Sequence, residues 1–292
     1  MIRYFSIFLV LLFSIKSFSQ TINNNTIVEL TKKEDSLKIL GAKILQDEFT
    51  SERIKADSAF TKLFVRALKL NNSFYFPFDS VISVSKLYAP DSSFRIFTWQ
   101  IMINEQEFVY HGAIQMNTND GSLKLFPLVD KSNLIENYDD TITNNKSWIG
   151  CLYYKVLMNS FNNKKFYTLL GYDENTDTTS KKFIEVMKFE KGEPLFGGNY
   201  FGFPKNDSSN KPHARFVMEF KKFAGPKLNY DEEFNMIIKE QLVSETNEPS
   251  RKSTLIGIGD YDGFSWKNGK WVFEKQVFDQ NNNSNPPFEK NQ

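Results

Sequence analysis

The stretch Trp148–Asp173 constrains the fold more than any other part of the sequence. It contains two apolar runs, WIGCLYYKVLM and FYTLLGYD, which are separated by the polar segment NSFNNKK. In the first run both faces of an extended chain are apolar, and Lys155 is its one charged residue. A strand of this kind is typical of the middle of a sheet that is covered on both sides. Because Asn162-Asn163 supplies turn residues, we predict a central β-hairpin on which the rest of the chain packs.

Two helical patterns precede the β-rich part of the chain. The pair Thr31 and Glu34 fits a capping box, and apolar residues then recur at helical spacing. A second run, Glu52–Leu70, places its large apolar residues on one face before Asn71-Asn72 ends it. We therefore predict an N-terminal pair of amphipathic helices whose apolar faces pack on the β region. The apolar positions are Leu37, Leu40, Ile44 and Leu45 in the first helix and Phe60, Leu63, Phe64, Ala67 and Leu68 in the second.

From Phe74 onward the spacing of apolar residues changes to the period of two that is typical of strands. Pro77 confines the aromatic cluster Phe74–Phe78 to a strand end or edge, because proline cannot donate to a sheet. Asp120-Gly121 and Asn268-Gly269 are typical hairpin turns. About ten short strands indicate an α+β protein, mostly antiparallel β, with a sandwich or barrel-like architecture. The strand patterns are Phe94–Ile103, Glu107–Asn117, Ser122–Val129, Lys182–Phe189, Ala214–Lys222, Thr254–Ile258 and Phe264–Phe278. Phe234–Val243 fits either a strand or a helix, and we assign it to a strand.

Two residues in these patterns carry predictions about burial. Cys151 is the one cysteine of the chain, so no internal disulfide can form. Its large apolar neighbours favour a buried structural thiol over a nucleophile. In Ala214–Lys222 charged residues alternate with apolar ones, so Arg215 is expected to face solvent on a half-buried strand.

The first nineteen residues have the pattern of a secretory signal. Arg3 gives a basic start, Tyr4–Ile15 is apolar but too short for a membrane helix, and Ser17 and Ser19 precede a cleavage site at Gln20. A buried N-terminal helix is the alternative. No later segment is apolar for the ~20 residues that a membrane helix requires. We expect an exported protein, periplasmic or extracellular and cell-surface associated, with no integral membrane segment after signal removal.

Charge and composition divide the chain and limit its partners. Loss of the signal removes two lysine or arginine residues and no acidic one, so the formal charge falls from +1 to −1. A nearly neutral chain offers no field for nucleic acid. The predicted division is a signal peptide at 1–19, a polar tether at 20–29, a single domain at 30–278 (helical at 30–72, β-rich at 73–278) and a disordered tail at 279–292.

Familiar catalytic motifs are missing from the sequence. It contains no G-x-S-x-G, no H-E-x-x-H and no P-loop. His111 and His213 are its two histidines, and each is expected to be a surface or hydrogen-bonded residue. One cysteine and two histidines exclude a structural zinc site of the Cys/His kind. We expect no cofactor.

Two acidic segments remain as candidates for chemistry. Gly171–Asp177 follows the central hairpin, and Gly259–Gly263 precedes the last one. Alternating oxygen ligands beside a glycine could bind Ca²⁺, although neither segment matches an EF-hand loop. Asp and Gly are also ordinary turn formers, and a carboxylate pair for glycoside hydrolysis is a third interpretation. The metal candidates are Asp173, Asp177, Asp260 and Asp262, and the hydrolase candidates are Asp173, Glu174, Asp260 and Asp262.

A short motif recurs outside these segments. Asp-Ser or Asp-Thr followed by a small or aliphatic residue is similar to the O-glycosylation signal of some Gram-negative exported proteins. Three residues make a weak motif, and chance matches are expected. The matches are Asp35-Ser36-Leu37, Asp57-Ser58-Ala59, Asp79-Ser80-Val81 and Asp140-Thr141-Ile142.

Four longer stretches carry a resemblance to a family. FRIFTWQ (94–100), GAIQMNTNDGSLKLFPL (112–128), YTLLGYDEN (167–175) and DYDGFSWKNGKWVF (260–273) resemble a group of uncharacterised secreted proteins of Gram-negative bacteria. The resemblance covers roughly residues 50–280 and implies export and a single domain. It implies no activity, ligand or site residue.

These observations favour an exported, non-enzymatic binding or structural module of the cell envelope, with a glycan or an envelope protein as partner. The alternative is a secreted or periplasmic hydrolase that acts on glycans or other envelope polymers through the acidic segments. Oligomeric state stays open.

Export can be tested on the protein from its native envelope. We expect mass spectrometry to find a chain that begins at Gln20, because Ser17 and Ser19 occupy the small-residue positions of the cleavage site. An intact Met1 on protein recovered from the cytosol would contradict this prediction.

Overall fold

The computed structural model describes residues 22–203 and 213–277. Within these ranges two α-helices precede three sheets of mostly antiparallel strands. The predicted signal peptide and tail, and residues 20 and 21 of the predicted tether, lie outside them. The elements are α1 (Asn24–Gln46), α2 (Thr50–Leu68), β1 (Ser85–Tyr88), β2 (Phe94–Asn104), β3 (Glu107–Met116), β4 (Lys124–Val129), β5 (Thr143–Asn144), β6 (Leu152–Phe161), β7 (Lys164–Asp173), β8 (Thr179–Glu190), β9 (Glu193–Phe196), β10 (Phe201–Gly202), β11 (Arg215–Lys221), β12 (Leu228–Asp231), β13 (Met236–Ser244), β14 (Leu255–Lys267) and β15 (Lys270–Glu274).

The strands follow three simple orders. The first sheet has the order β1-β2-β3-β4, and the third has the order β10-β15-β14-β13-β12 with β10 parallel to β15. The second sheet has the order β5-β9-β8-β7-β6. Its long strand β8 pairs with β9 near one end and with β11 along the remainder of the same edge.

Three hydrophobic clusters show how the layers stack. Phe60 and Phe64 of α2 pack with Phe97 and Trp99 on one face of the first sheet. The other face of that sheet packs on the second sheet, and the far face of the second sheet packs on the third. The order is helices, first sheet, second sheet, third sheet. This arrangement is sandwich-like and is not a closed barrel, which resolves the two alternatives left by the sequence.

The predicted central hairpin is present as β6 and β7. Asn162 and Asn163 form its turn with φ of 48° and 59°, and β7 lies between β6 and β8. Leu169 packs on the first-sheet side and Leu170 on the third-sheet side, so β7 is covered on both faces. The prediction that the first strand also lies in the middle is wrong, because β6 ends the strand order. A bulge between Tyr153 and Lys155 also shifts its predicted faces.

The segment predicted as a polar tether is helical from Asn24 onward. Asn23 caps α1, since its side-chain oxygen accepts a hydrogen bond from Thr26 N at 2.8 Å. Leu30 is fully buried in the hydrophobic cluster that α1 shares with α2 and the first sheet, so the N-terminal half of α1 packs on the domain. The predicted capping box is wrong because Glu34 instead accepts from Ser80 N at 2.7 Å.

Buried Arg95 explains why the Phe74–Phe78 cluster is not a strand. A 3₁₀ helix occupies Ser73–Tyr75, and the carbonyls of Ser73 and Phe76 accept hydrogen bonds from Arg95 at 2.7 and 2.6 Å. Arg95 is 0% exposed, and burial lowers its pKa to about 10. Its guanidinium lies 4.6 Å from the Phe97 ring centroid. The aromatic segment therefore wraps around a cation and does not pair with a sheet.

Arg215 corrects the prediction that it faces solvent. Its side chain is fully buried, and Nε donates to Glu185 Oε2 at 3.1 Å. The two residues lie opposite each other in the β8–β11 pairing. Arg215 also donates to the carbonyls of Tyr138 and Thr141, and Glu185 accepts from the Tyr153 hydroxyl. An arginine on a strand can point inward when a buried carboxylate and free carbonyls are available to it.

Cys151 is buried, as predicted. Its side chain lies in the cluster between the first and second sheets. Burial raises the pKa of the thiol, and the nearby Glu185 carboxylate raises it further. Among the described residues no helix is long and apolar enough to cross a membrane.

Substitution of this thiol tests the packing between the sheets. Cys151→Ser should lower the free energy of unfolding by roughly 1–3 kcal/mol, because the buried hydroxyl replaces a weakly polar group. Urea unfolding measures the change. A thiol reagent should label the wild-type protein only after denaturation, and rapid labelling of the native protein would contradict the placement.

Candidate functional site

The first acidic segment is the connection between β7 and β8. Asp173 is buried, and its Oδ1 accepts hydrogen bonds from the Tyr110 hydroxyl and from Asn175 N, both at 2.8 Å. Burial raises the Asp173 pKa, although these hydrogen bonds oppose the shift. Glu174 accepts from Lys222 Nζ at 2.6 Å. Asp177 is exposed and accepts from the Gln106 amide at 3.3 Å.

The second acidic segment is not a turn, so that prediction is wrong. Residues 259–263 lie within β14, where Asp262 pairs with Lys239 of β13. Gly259, with φ of +79°, lies where the β13–β14 register shifts, so the glycine serves a bulge. Asp262 is buried and accepts from Lys239 Nζ at 3.2 Å and from the Gln241 amide at 2.8 Å. Asp260 is exposed.

The structure therefore gives the candidate carboxylates separate roles. Asp173 and Asp262 are both buried, and each is held by its own set of donors. In the part of the chain that the structure describes, no three His, Cys, Asp or Glu side chains are grouped so that they could hold a metal ion. The four hydrolase candidates share no hydrogen bond or ion pair there.

Each histidine, predicted to be a surface or hydrogen-bonded residue, lies beside an aspartate. His111 Nε2 lies 3.0 Å from Asp57 Oδ2 and its ring stacks on Trp99, whose Nε1 donates to the same carboxylate at 2.9 Å. His213 Nδ1 lies 3.3 Å from Asp140 Oδ1.

A different site opens where two strands of the second sheet diverge. The β7–β8 pairing stops at Tyr167 and Met187. Beyond that point β7 continues to pair with β6, and β8 continues to pair with β9. The two strands therefore separate at this end of the sheet and leave a cleft of about 570 Å³, which we call the lysine cleft. It is lined by Lys164, Lys165, Phe166, Tyr167, Lys188, Phe189, Glu190 and Lys191.

The lysine cleft has two kinds of lysine. Lys165 lies 2.7 Å from Asp91 and Lys188 lies 2.8 Å from Glu190, so these two are paired. Lys164 and Lys191 have no salt bridge within the described residues. Both act on Glu190, whose pKa is lowered chiefly by Lys188 and further by these two lysines. Positive charge is therefore in excess.

Packed aromatic rings form the inner wall of the lysine cleft. Tyr167 and Phe189 have ring centroids 6.2 Å apart, and both pack against Phe94 of the first sheet. The Tyr167 hydroxyl donates to Asp91 at 3.0 Å. Burial alone would raise the Asp91 pKa, but hydrogen bonds from Lys165, Ser93 and Tyr167 lower it to about 2. The carboxylate thus stays charged and holds Lys165 in place.

Sequence reasoning missed this cleft because its lysines come from two separate segments. Lys164-Lys165 follows the hairpin turn, and Lys188 and Lys191 flank the end of β8. Each segment alone is typical of a solvated strand end. The available signal was that both segments are basic ends of predicted strands that follow each other in the sequence.

A second cleft, of about 370 Å³, lies beside the 136–140 loop and β11. It combines acidic and basic groups, and most of them already have partners. Glu219 accepts from Thr179 at 2.8 Å and from Asn175 at 3.0 Å, while Asp140 faces His213. Burial raises the Asp139 pKa, and His213 opposes this shift.

Comparison with known proteins adds no assignment. No protein-family model, curated protein sequence or solved structure matches the chain. The resemblance to uncharacterised secreted proteins therefore stays a prediction, and function must be argued from the geometry of the sites.

The contacts of Asp262 predict that it is structural and does not bind Ca²⁺. Asp262→Ala should lower the free energy of unfolding by about 1–3 kcal/mol, because Lys239 and Gln241 lose a buried acceptor. Millimolar Ca²⁺ should leave the melting temperature unchanged. Asp260→Ala is the matched control and should cost little, since Asp260 is exposed. A Ca²⁺-dependent rise in melting temperature that Asp262→Asn abolishes would contradict this prediction.

Proposed function

We propose that this protein is an exported, non-enzymatic binding module of the cell envelope and that the lysine cleft is its ligand site. The observation that carries the proposal is a pair of lysines, Lys164 and Lys191, that have no salt bridge to a described residue. Both line a cleft between diverging strands whose inner wall consists of packed aromatic rings. Clustered cations in a cleft favour an anionic ligand. Export rests on the signal-like pattern of residues 1–19.

The ligand chemistry follows from the residues that line the cleft. All of its cationic groups are lysines, which bind carboxylate or phosphate as point charges and do not impose bidentate geometry. Phe189 is half-buried and offers a ring edge or face beside these charges. A sugar unit presents acidic groups together with apolar C–H faces, and aromatic side chains pack on such faces. An acidic glycan of the envelope is therefore the ligand class that we propose.

The arrangement of carboxylates supports binding without catalysis. Glycoside hydrolysis needs two carboxyl groups on opposite sides of a bond, one of which carries a proton. Glu190 is the one acidic residue that lines the lysine cleft, and it is paired with Lys188. Asp91, behind Lys165, has a pKa of about 2 and cannot supply a proton near neutral pH. The hydrolase alternative would have to use carboxylates from elsewhere.

Charge reversal in the lysine cleft tests the proposal. The variant Lys164→Glu/Lys191→Glu should bind polygalacturonate or lipopolysaccharide about tenfold more weakly than wild type, since each exposed ion pair contributes up to about 1 kcal/mol. Calorimetry or surface plasmon resonance measures the affinity. Polygalacturonate carries carboxylates and lipopolysaccharide carries phosphates as well, so the two probes distinguish the acidic groups. Neutral dextran should not bind.

A matched control separates the site from net charge. Lys38→Glu/Lys62→Glu places the same charge change on α1 and α2, where both lysines are exposed, and should bind like wild type. Equal loss in both variants, or no binding of either acidic probe to wild type, would contradict the proposed site. Release of shorter oligosaccharides from a probe would contradict the non-enzymatic part and favour the hydrolase.

A further inference from the structure

The structure separates the four Asp-Ser/Thr motifs by the state of their hydroxyl groups. Ser36 lies within α1 and donates to the Lys32 carbonyl at 3.3 Å, and Ser58 lies within α2. Thr141 is half-buried and donates to the Asn137 carbonyl at 2.8 Å. Ser80 differs from these three, because it is exposed, lies outside any helix or strand and makes no side-chain hydrogen bond to a described residue.

The acidic residues of the motifs differ in the same way. Asp57 is buried, accepts a hydrogen bond from Trp99 and lies 3.0 Å from His111 Nε2, so little of its carboxylate faces solvent beside Ser58. Asp140 is paired with His213. Asp79 is exposed beside Ser80 and has no salt bridge to a described residue. An enzyme could therefore approach the acidic residue and the hydroxyl of this motif from one side.

Ser80 lies on a turn that is held by backbone hydrogen bonds and by buried neighbours. Ser80 N donates to Glu34 Oε1 of α1 at 2.7 Å, and Val81 N donates to the Phe78 carbonyl at 3.1 Å. Phe78 and Val81 are buried on either side of the exposed pair Asp79-Ser80. The turn is thus anchored at both ends while its tip faces solvent.

We propose that Ser80 is an O-glycosylation site, modified after export. Ser80 Oγ would attack the anomeric carbon of a polyprenyl-diphosphate-linked glycan held by a glycosyltransferase. The new bond joins Oγ to that carbon, and the bond from the carbon to the diphosphate oxygen breaks. The hydroxyl proton passes to a base of the transferase, and polyprenyl diphosphate leaves. No oxidation or reduction takes place.

Peptide mapping of the protein from its native envelope tests the proposal. Electron-transfer fragmentation should locate an added glycan mass on Ser80, in chains that begin at Gln20. Ser80→Ala should remove this mass completely, and Asp79→Asn should remove most of it while leaving the acceptor hydroxyl. Both residues are exposed, so both variants should keep the wild-type melting temperature. Ser58→Ala is the matched control and should keep the full glycan mass.

Several results would overturn the proposal. An unmodified Ser80 peptide in exported chains that begin at Gln20 would do so, as would a glycan on Ser36, Ser58 or Thr141 with Ser80 bare. A glycan on Ser80 in chains that still carry Met1 would contradict the stated order of export and modification. Failure of the wild-type protein to bind either acidic probe would contradict the proposed ligand site but leave these outcomes unchanged, so the two proposals fail separately.

Discussion

A buried ion pair between Glu185 and Arg215 holds the second sheet at the place where several parts of the chain meet. Glu185 lies on β8, Arg215 lies on β11, and their side chains are 3% and 0% exposed. The pair contacts β6 because the Tyr153 hydroxyl donates a hydrogen bond to Glu185. The same hydroxyl accepts from Trp148 Nε1 at 2.8 Å. The pair also contacts the 138–141 loop, because the carbonyls of Tyr138 and Thr141 accept hydrogen bonds from Arg215. Because these groups are buried, most of their hydrogen-bond partners come from one another and from nearby carbonyls.

The same covering explains where a ligand site can form. The second sheet is sealed by the first sheet on one side and by the third on the other. Access to it is therefore limited to its edges and to the ends of its strands. At one such end β7 and β8 diverge, and the solvated strand ends carry lysines. The lysine cleft is thus a consequence of the layered fold, and its charge comes from side chains that have no place inside the layers.

Local patterns allowed much of the fold to be predicted. Apolar residues on both faces of Phe166–Leu170 indicated a doubly covered strand, and Asn268-Gly269 forms the predicted hairpin turn with positive φ at both residues. Helical spacing located α2 because Phe60 and Phe64 pack on the first sheet. These features depend on neighbours in sequence or on simple alternation, which a single sequence displays.

The features that the sequence could not show depend on distant partners. Arg95 and Arg215 are buried because carbonyls of segments 19 to 77 residues away accept from them. Asp262 looked like a turn residue until its pairing with Lys239 placed it in a strand. The lysine cleft lies where the β7–β8 pairing ends, and predicting it requires the register of these two strands. The alternation of apolar and polar residues within each strand does not determine where the pairing ends.

A double-mutant cycle at the buried pair measures the central interaction most directly. Glu185→Gln or Arg215→Met alone should lower the free energy of unfolding by about 3–5 kcal/mol, because each leaves an uncompensated buried group. The double variant should cost no more than the worse single variant, since neither charge then remains. Urea unfolding gives all three values, and a double variant that folds when a single one does not would agree. Single-variant costs that simply add would contradict the role assigned to this pair.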